Sequence, residues 1–452
     1  MTVRSGVVAR TLVVAACGCI ALAAGCARSI IADGRIRPEA FESIVTRTEQ
    51  ARGIDLEGEV DARVVSREEL AATVEEAATG SWSEQEYRDY EASLVAMGLW
   101  PPGRDLFGDY VAALSGEAVG LYIPEQRALY IVDDVEVPAR VAIASALTRR
   151  DLMREAVLTH EIVHALQHQA YPELIELATT LRAQDDVVSA LQAAIEGDAM
   201  RYGFAALDAR IRPPAPVDLE EQVRAETDSG ALGDAPLLIR DAVVFPYVEG
   251  YRLSMLEASL LLDRPPASTE QVLHHAKRSE AFLVIDLRAL HGGLAPGCRV
   301  LQENTLGEFG LSILFRELAV SPSPRAWQGW DGDRFLVARC AERLELLWLS
   351  AWDSNDDAAE FATAYQAVAA SIGERAELDG APEVHRDGRR VIVFTPAFAD
   401  AARSASQLAR ETRAATLVEV VEAFGLEAGA RDRASSGAPV REASSGQAGN
   451  VR

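Results

Sequence analysis

The side chains best suited to chemistry lie in one short segment, where His160, Glu161 and His164 form the pattern H-E-x-x-H. The surrounding residues have helical periodicity and contain no helix breaker. Histidines four residues apart on a helix lie one above the other, so both imidazoles can bind one tetrahedral Zn²⁺. Glu161 would face a water molecule bound to that metal. Zinc lowers the pKa of such a water to about 7. The segment predicts zinc-dependent hydrolysis, in which Glu161 takes the water proton and passes it to the leaving amine.

A third metal ligand must come from another part of the chain. The pattern does not continue with a glycine and a third histidine, because Gln167 and Ala170 stand at those positions. His168 lies eight residues beyond His160, or about 12 Å along a helix axis, which is too far for one helix to offer three ligands. We interpret His168 as a residue that lies at the rim of the site or contacts one of the metal-ligating residues.

We predict that Glu196 is the third ligand. It stands among small residues in a later helical segment, where the charge of a zinc ion would offset the cost of burying a carboxylate. Asp185, Asp186 and Asp198 are alternatives for this role, and an exposed helix carboxylate is the plain interpretation of Glu196. Asp198 could instead orient a ligand histidine.

Tyr247 and His274 are candidates to donate hydrogen bonds to the oxyanion that forms opposite the zinc. That role needs a neutral or cationic donor near the scissile carbonyl. The plain alternative for Tyr247 is an aromatic ring packed beside Pro246 and Gly250, and for His274 it is a hydrogen-bonded histidine of a loop or the core. Both residues are therefore assigned to the catalytic set as predictions.

Two of these segments together resemble a known type of enzyme. The run HEIVHALQ at residues 160–167, followed by Glu196-Gly197-Asp198-Ala199, resembles the gluzincin type of zinc metallopeptidase. The chain is also similar to a group of uncharacterised bacterial envelope proteins with three further motifs, which stand here at residues 245–250 (FPYVEG), 268–274 (STEQVLH) and 305–310 (TLGEFG). The similarity covers roughly residues 60–395. It implies a zincin-like core with a small sheet and an active-site helix that carries the H-E-x-x-H residues.

The elements that must position these residues indicate an α+β protein that is predominantly helical. Ser66 and Ser83 each begin a capping box and so open a helix. Residues 120–132 predict a β-hairpin before the motif helix, and one of its strands could pair with an extended peptide substrate. The other predicted elements are helical stretches over 137–210, 218–291, 304–318 and 356–372, a turn at 329–333, and strands at 59–65, 335–340, 344–352 and 390–394.

The first residues read as an export signal. Arg4 and Arg10 precede an apolar run of about 14 residues, which is too short to span a bilayer as a helix. The end of this run, Ala23-Ala24-Gly25-Cys26, is similar to the bacterial lipobox, in which the cysteine is acylated and becomes the first mature residue. An ordinary secretory signal with an incidental Cys26 is the alternative. Lipidation would anchor the protein in the cell envelope, and Ala27 favours the outer over the inner membrane because it is not the Asp associated with inner-membrane retention.

These features predict six segments. They are a lipoprotein signal peptide (1–25), a tether (26–58), an N-terminal α-rich module (59–116), a zincin-like metallopeptidase domain (117–320), a C-terminal α+β section (321–427) and a disordered tail (428–452). The mature body would keep two cysteines, Cys298 and Cys340. An oxidising compartment permits a disulfide between them, but two free buried thiols are an equal alternative from the sequence.

Charge and composition narrow the classes of function. The 452 residues are 49% hydrophobic, which is enough for a sizeable core, and the net charge of −25 opposes binding to nucleic acid through a basic face. The sequence therefore predicts a lipid-anchored zinc metallopeptidase acting on a peptide or protein substrate. The alternatives are a zincin-fold scaffold or assembly factor without turnover, and an amidase that cleaves a non-peptide amide.

Overall fold

The structure is a computed structural model that describes residues 29–79, 82–134, 137, 139–207, 213–227, 231–257, 260–294, 297–376 and 378–425. The predicted signal peptide, Cys26 and the whole of the predicted tail lie outside these residues. Within the described part of the chain, no helix combines the length and the apolar composition needed to cross a bilayer.

In the described part of the chain, the strands form four separate sheets. They are β1 (Ile31–Ala32), β2 (Arg35–Ile36), β3 (Asp61–Val65), β4 (Gly120–Ile123), β5 (Ala128–Val132), β6 (Phe282–Asp286), β7 (Cys298–Asn304), β8 (Trp330–Cys340), β9 (Arg343–Trp352), β10 (Glu383–Asp387), β11 (Arg390–Phe394) and β12 (Arg410–Ala414).

Helices make up most of the rest, as expected for a predominantly helical α+β protein. They are α1 (Pro38–Arg52), α2 (Arg67–Thr79), α3 (Glu84–Ala96), α4 (Leu106–Glu117), α5 (Ala139–Thr148), α6 (Leu152–Ala170), α7 (Pro172–Thr180), α8 (Asp185–Ala206), α9 (Pro216–Thr227), α10 (Leu237–Glu257), α11 (Thr269–Leu273), α12 (Gly307–Leu318), α13 (Asn355–Arg375), α14 (Ala399–Leu408) and α15 (Leu417–Phe424).

A three-stranded sheet packs against the motif helix α6. Its order is β3-β5-β4, with β3 parallel and β4 antiparallel to the central strand β5. Leu129 and Ile131 of β5 share a buried core with Ile162 and Leu166 of α6. The hairpin predicted over 120–132 is confirmed, and β4 is an edge strand of this sheet. β3 precedes and β5 follows the predicted boundary between residues 116 and 117.

The helix starts follow the capping signals. Ser83 accepts a hydrogen bond from the Glu86 main chain while the Glu86 side chain accepts one from the main chain of Ser83. Ser66 and Glu69 make the same reciprocal pair. Both predicted capping boxes are confirmed. The described part of the helical stretch predicted over 137–210 is divided into four helices, α5 to α8, and between α5 and α6 Arg149 takes a positive φ of 57°.

The larger sheet lies in the C-terminal part of the chain and has the order β10-β11-β9-β8-β7. One face packs on α13 through Trp348, and the other packs on α14 through Leu347. The strands predicted at 335–340, 344–352 and 390–394 are confirmed. The helix predicted over 356–372 lies within α13. The edge strand β7 comes from residues before the predicted boundary at 320–321.

Three features of this half differ from the predictions. The turn predicted at 329–333 is wrong, because β8 begins at Trp330. Asp333 suggested a turn, but it is buried and accepts hydrogen bonds from the indoles of Trp330 and Trp348 and from two main-chain N–H groups. The stretch 218–291 is not helical throughout, since β6 lies in it and pairs with the distant β12. Cys298 and Cys340 are opposite each other on β7 and β8 and are joined in a disulfide.

Candidate metal centre and adjoining cavity

Helix α6 brings the two motif histidines together. His160 and His164 are one turn apart, their ring centroids are separated by 4.6 Å, and their Nε2 atoms lie 3.0 Å from each other. Each side chain is 17% exposed. The helix therefore presents two ring nitrogens side by side at a point that is partly open to solvent.

Glu196 reaches the same point from α8. Its Oε2 atom lies 3.2 Å from His160 Nε2 and 3.5 Å from His164 Nε2. Among the described residues these three form the one group of histidine, cysteine or acidic side chains that could hold a metal ion. Ligands about 2.0–2.1 Å from a tetrahedral zinc ion are spaced about 3.3 Å apart, so the three observed distances fit such a donor set. The structure thus brings the predicted third ligand to the two histidines.

A close helix crossing places Glu196. A Cβ atom on Gly197 would lie 2.1 Å from the main-chain oxygen of Gly250 in α10, and one on Gly250 would lie 2.0 Å from that of Ala193. Neither position has room for a side chain. The two glycines let α8 and α10 come into close contact. In this arrangement Glu196, the residue before Gly197, faces α6.

A chain of hydrogen bonds orients His164. Its Nδ1 atom lies 2.8 Å from Gln167 Oε1, and Gln167 Nε2 donates to Asp198 Oδ2 at 2.9 Å. Asp198 also accepts from Arg52 Nε at 3.1 Å, in an ion pair whose side chains are 1% and 5% exposed. Because the amide oxygen of Gln167 can only accept, His164 carries its proton on Nδ1 when neutral and directs the Nε2 lone pair toward Glu196.

The charges of the centre are coupled. Burial lowers the pKa of His164, but the Glu196 carboxylate outweighs this effect and raises the pKa to about 9. Burial raises the pKa of Glu196, but the two histidines outweigh it and hold that pKa far below its usual range. A proton on His164 therefore neutralises Glu196 in the metal-free chain, and a divalent cation would compete with that proton.

Glu161 lies beside the three donors, against β4. It is buried with 7% exposure, and a Cβ atom on Gly120 of β4 would lie 3.0 Å from its Oε1 atom. Burial raises the pKa of Glu161, while His160, His164 and a main-chain hydrogen bond from Tyr122 oppose the rise. Gly120 thus leaves the space in which the carboxylate stands between the edge strand and the histidines.

The centre opens into a cavity of about 660 Å³. His160, Glu161 and Tyr247 all line it. The Tyr247 ring stacks on that of His160 with a centroid distance of 6.2 Å and an interplanar angle of 29°. The charge of Glu196 and burial hold the pKa of Tyr247 well above its usual value, so its hydroxyl keeps a proton that it can donate. Tyr247 thus lines the same cavity as His160 and Glu161, and its role as an oxyanion donor stays a prediction.

The structure does not bring His274 to this cavity. Its Nε2 atom lies 2.8 Å from Glu308 Oε1 at the start of α12, in a different cluster that is partly buried. The position of His274 therefore does not support the catalytic role predicted for it. His168 is nearer the centre, and its Nδ1 atom lies 3.2 Å from the Tyr122 hydroxyl.

The alternative carboxylates have other partners. Asp185 accepts a hydrogen bond from Tyr90, and Asp186 accepts from Thr269. Asp198 contacts His164 only through Gln167, which agrees with the orienting role considered for it.

Two residues of the centre were missed at the level of sequence. Gln167 stands three residues after His164 on the same helix face, and this spacing could have identified it. Arg52 belongs to α1, 146 residues before Asp198 in the chain, and no local pattern marks it.

Comparison with known proteins adds one match. Residues 298–429 match a family described as a domain of unknown function (DUF8575). This segment contains β7 to β12 and follows the candidate metal centre in the chain. Searches of curated proteins and of solved structures returned no significant match.

Proposed function

We propose that this chain is a zinc-dependent peptidase with a zincin-like core, anchored to the bacterial cell envelope by a lipid on Cys26. The observation that carries the proposal is the convergence of His160, His164 and Glu196 at one point, next to a cavity that His160 and Glu161 line. Two histidines and a carboxylate leave a position open for a reactant, as in catalytic zinc sites.

The residues of the chain divide the work of amide hydrolysis. Bound zinc would supply Lewis acidity and lower the pKa of a coordinated water. Glu161 removes a proton from the attacking water as its oxygen bonds to the carbonyl carbon, and returns that proton to the nitrogen as the C–N bond breaks. The Tyr247 hydroxyl donates a hydrogen bond to the carbonyl oxygen as negative charge develops on it. Gln167 keeps the His164 ring in its ligating orientation.

The edge strand β4 favours a peptide over other amides. Gly120 and Leu121 of this strand line the cavity next to Glu161. Among the described residues the outer edge of β4 has no strand partner, and one of its main-chain groups, the Tyr122 N–H, bonds Glu161. The other main-chain groups of this edge could pair with an extended substrate, which would hold the scissile bond beside the catalytic residues. A scaffold without turnover would need neither the carboxylate of Glu161 nor the adjoining cavity.

Two features support the location. Cys26 follows the small residues of a lipobox-like sequence. The disulfide between Cys298 and Cys340 belongs to proteins of oxidising compartments such as the periplasm. Replacing Cys26 with Ala should move the protein from the detergent-extracted membrane fraction to the soluble fraction, and an unchanged distribution would contradict lipid anchoring.

The function is tested first on soluble protein that starts at Ala27. We expect about one zinc per chain by elemental analysis and cleavage of members of a peptide library. Glu161→Gln should keep the zinc and lose about 10²–10⁴-fold in kcat/KM, because it removes the general base and leaves the ligands intact.

The outcomes separate the alternatives. Wild-type protein without zinc would contradict the proposal and favour the scaffold. Zinc with cleavage of a non-peptide amide, but of no library peptide, would reassign the chain as an amidase. Unchanged activity in Glu161→Gln would contradict the assigned role of Glu161.

A further inference from the structure

The cavity beside the metal centre extends well beyond the reacting residues. Its volume of about 660 Å³ falls in the range of about 300–1,000 Å³ typical of pockets for drug-sized ligands. Its walls come from the N-terminal α-rich module as well as from the motif helix, since Leu114 of α4 and Val157 of α6 both line it. Because His160 and Glu161 lie in one wall, any group held here is adjacent to the scissile bond.

The walls of the cavity are apolar. Its lining includes Leu114, Leu121, Val157, Met200, Phe204 and Val243. Among the described residues that line it, none is a lysine or arginine, and Glu161 is the only acidic one. A charged side chain that entered would lose its water and find no counter-ion, apart from the carboxylate needed for proton transfer.

We infer that the cavity is the specificity site of the enzyme, and that it selects substrates with a large apolar side chain next to the scissile bond. This inference rests on the proposed function and adds the substrate class. Leucine, methionine and phenylalanine side chains suit the cavity, because each exchanges contact with water for contact with an apolar wall. Lysine, arginine, aspartate and glutamate at the same position are excluded by the cost of removing their charge from water.

Three hydroxamates test this inference on the zinc-loaded protein without requiring turnover. Acetohydroxamate can bind the metal but carries no side chain, and N-acetyl-leucine and N-acetyl-lysine hydroxamates add an apolar and a charged one. We expect the leucine compound to bind about 10- to 100-fold more tightly than acetohydroxamate by calorimetry. The lysine compound should gain less than about threefold over acetohydroxamate.

A pair of variants assigns the gain to the cavity. Leu114→Trp narrows the cavity from the side of α4. It should reduce the affinity of the leucine compound relative to acetohydroxamate at least about tenfold. The zinc content and the affinity for acetohydroxamate should not change. Leu147→Trp is the matched control, because Leu147 is 81% exposed on α5 and should leave all three affinities unchanged.

The possible failures differ from one another. If acetohydroxamate binds but the leucine and lysine compounds bind equally well, the inferred specificity is overturned while the proposed metal centre stands. If Leu114→Trp keeps the full leucine gain, the cavity is not its source and the inference is also overturned. If neither zinc nor acetohydroxamate binds to wild-type protein, the proposed function fails, and the inference fails with it.

Discussion

A comparison of two partly buried clusters, each with a histidine next to a glutamate, shows that they differ in what surrounds the pair. In the metal-centre cluster, His160, His164 and Glu196 meet at one point beside a cavity. In the second cluster, which we call the α12 cluster (Glu270, His274, Lys277, Glu308 and Asp353), His274 bonds Glu308, and Lys277 bonds both Glu270 and Asp353.

The difference lies in the cations that the chain itself supplies. Lys277 already neutralises carboxylates of the α12 cluster, and its ammonium group lies 2.6 Å from Glu270 Oε1. In the metal-centre cluster the nearest partners of Glu196 are two imidazoles whose lone pairs can turn toward a metal. A high density of titratable residues therefore does not by itself indicate a metal site, whereas lone pairs that converge next to a cavity make these residues a candidate for one.

The largest effect should come from removing a ligand of the metal-centre cluster, while removing the histidine of the α12 cluster should leave the zinc in place. His160→Ala and Glu196→Ala should each lower zinc from about one per chain to near zero, because two protein ligands do not hold the ion at catalytic-site affinity. His274→Ala is the matched control and should keep the zinc. Elemental analysis of the three purified variants measures this, and zinc lost from His274→Ala would erase the distinction between the clusters.

The second prediction concerns α8, which carries Glu196 to the metal centre. Gly197→Ala puts a methyl group against the Gly250 main chain and should lower the free energy of unfolding by about 2–3 kcal/mol and weaken zinc binding. Urea denaturation and zinc titration measure the two effects.

Gly203→Ala provides the matched control on the same helix. Its nearest contact would be the His160 Cα atom at an ordinary 3.5 Å, so the stability should change little. Helix propensity favours alanine over glycine by about 1 kcal/mol at both positions, so it cannot cause a loss. Equal losses in the two variants would show that the crossing of α8 and α10 is not what makes Gly197→Ala destabilising.

A smaller effect is expected from the hydrogen-bond chain behind His164. Gln167→Leu keeps the volume but removes the acceptor for the His164 ring, and should weaken zinc binding about 10- to 100-fold. Competition with a chromophoric chelator measures the affinity. Gln169 lies on the same helix as Gln167 and donates an exposed hydrogen bond to the main chain of Asp55. Gln169→Leu removes that bond and should leave the zinc affinity unchanged. An unaltered affinity in Gln167→Leu would mean that the ring holds its orientation without this chain.

The smallest effect concerns stability near the α12 cluster. Burial raises the pKa of Asp186 to about 7, and Asp333 and Glu308 add to this rise while Thr269 opposes it. Between about pH 4 and pH 7 the folded chain keeps a proton that the unfolded chain has released, so this residue makes stability fall as pH rises through that range.

Asp186→Asn should remove that pH dependence. The amide resembles the protonated carboxyl, so the variant should exceed wild type by at least about 1 kcal/mol at pH 8 and show little difference at pH 4. Urea denaturation at both pH values measures this, with exposed Asp218→Asn as the control. If the difference in stability between wild type and Asp186→Asn were the same at pH 4 and pH 8, the raised pKa of Asp186 would be contradicted.

The accuracy of the sequence predictions follows the range of the interactions involved. Ser83 and Glu86 define a helix start within four residues, and the hairpin over 120–132 is set by two β-prone runs around a turn. The strand β6 was missed because its partner β12 lies more than a hundred residues away. Trp330 to Asp333 was predicted as a turn because the indole partners that satisfy Asp333 cannot be read from its neighbours.

The sequence alone determined the chemistry that the chain can offer. Two histidines and a glutamate at helical spacing are local facts, and so is a carboxylate among small residues at Glu196. Which carboxylate meets the histidines was decided only by the tertiary structure, through the glycine contact between α8 and α10. The same holds for Arg52 behind Asp198 and for the position of His274, since burial, ion pairing and cavity shape depend on segments that are distant in the chain.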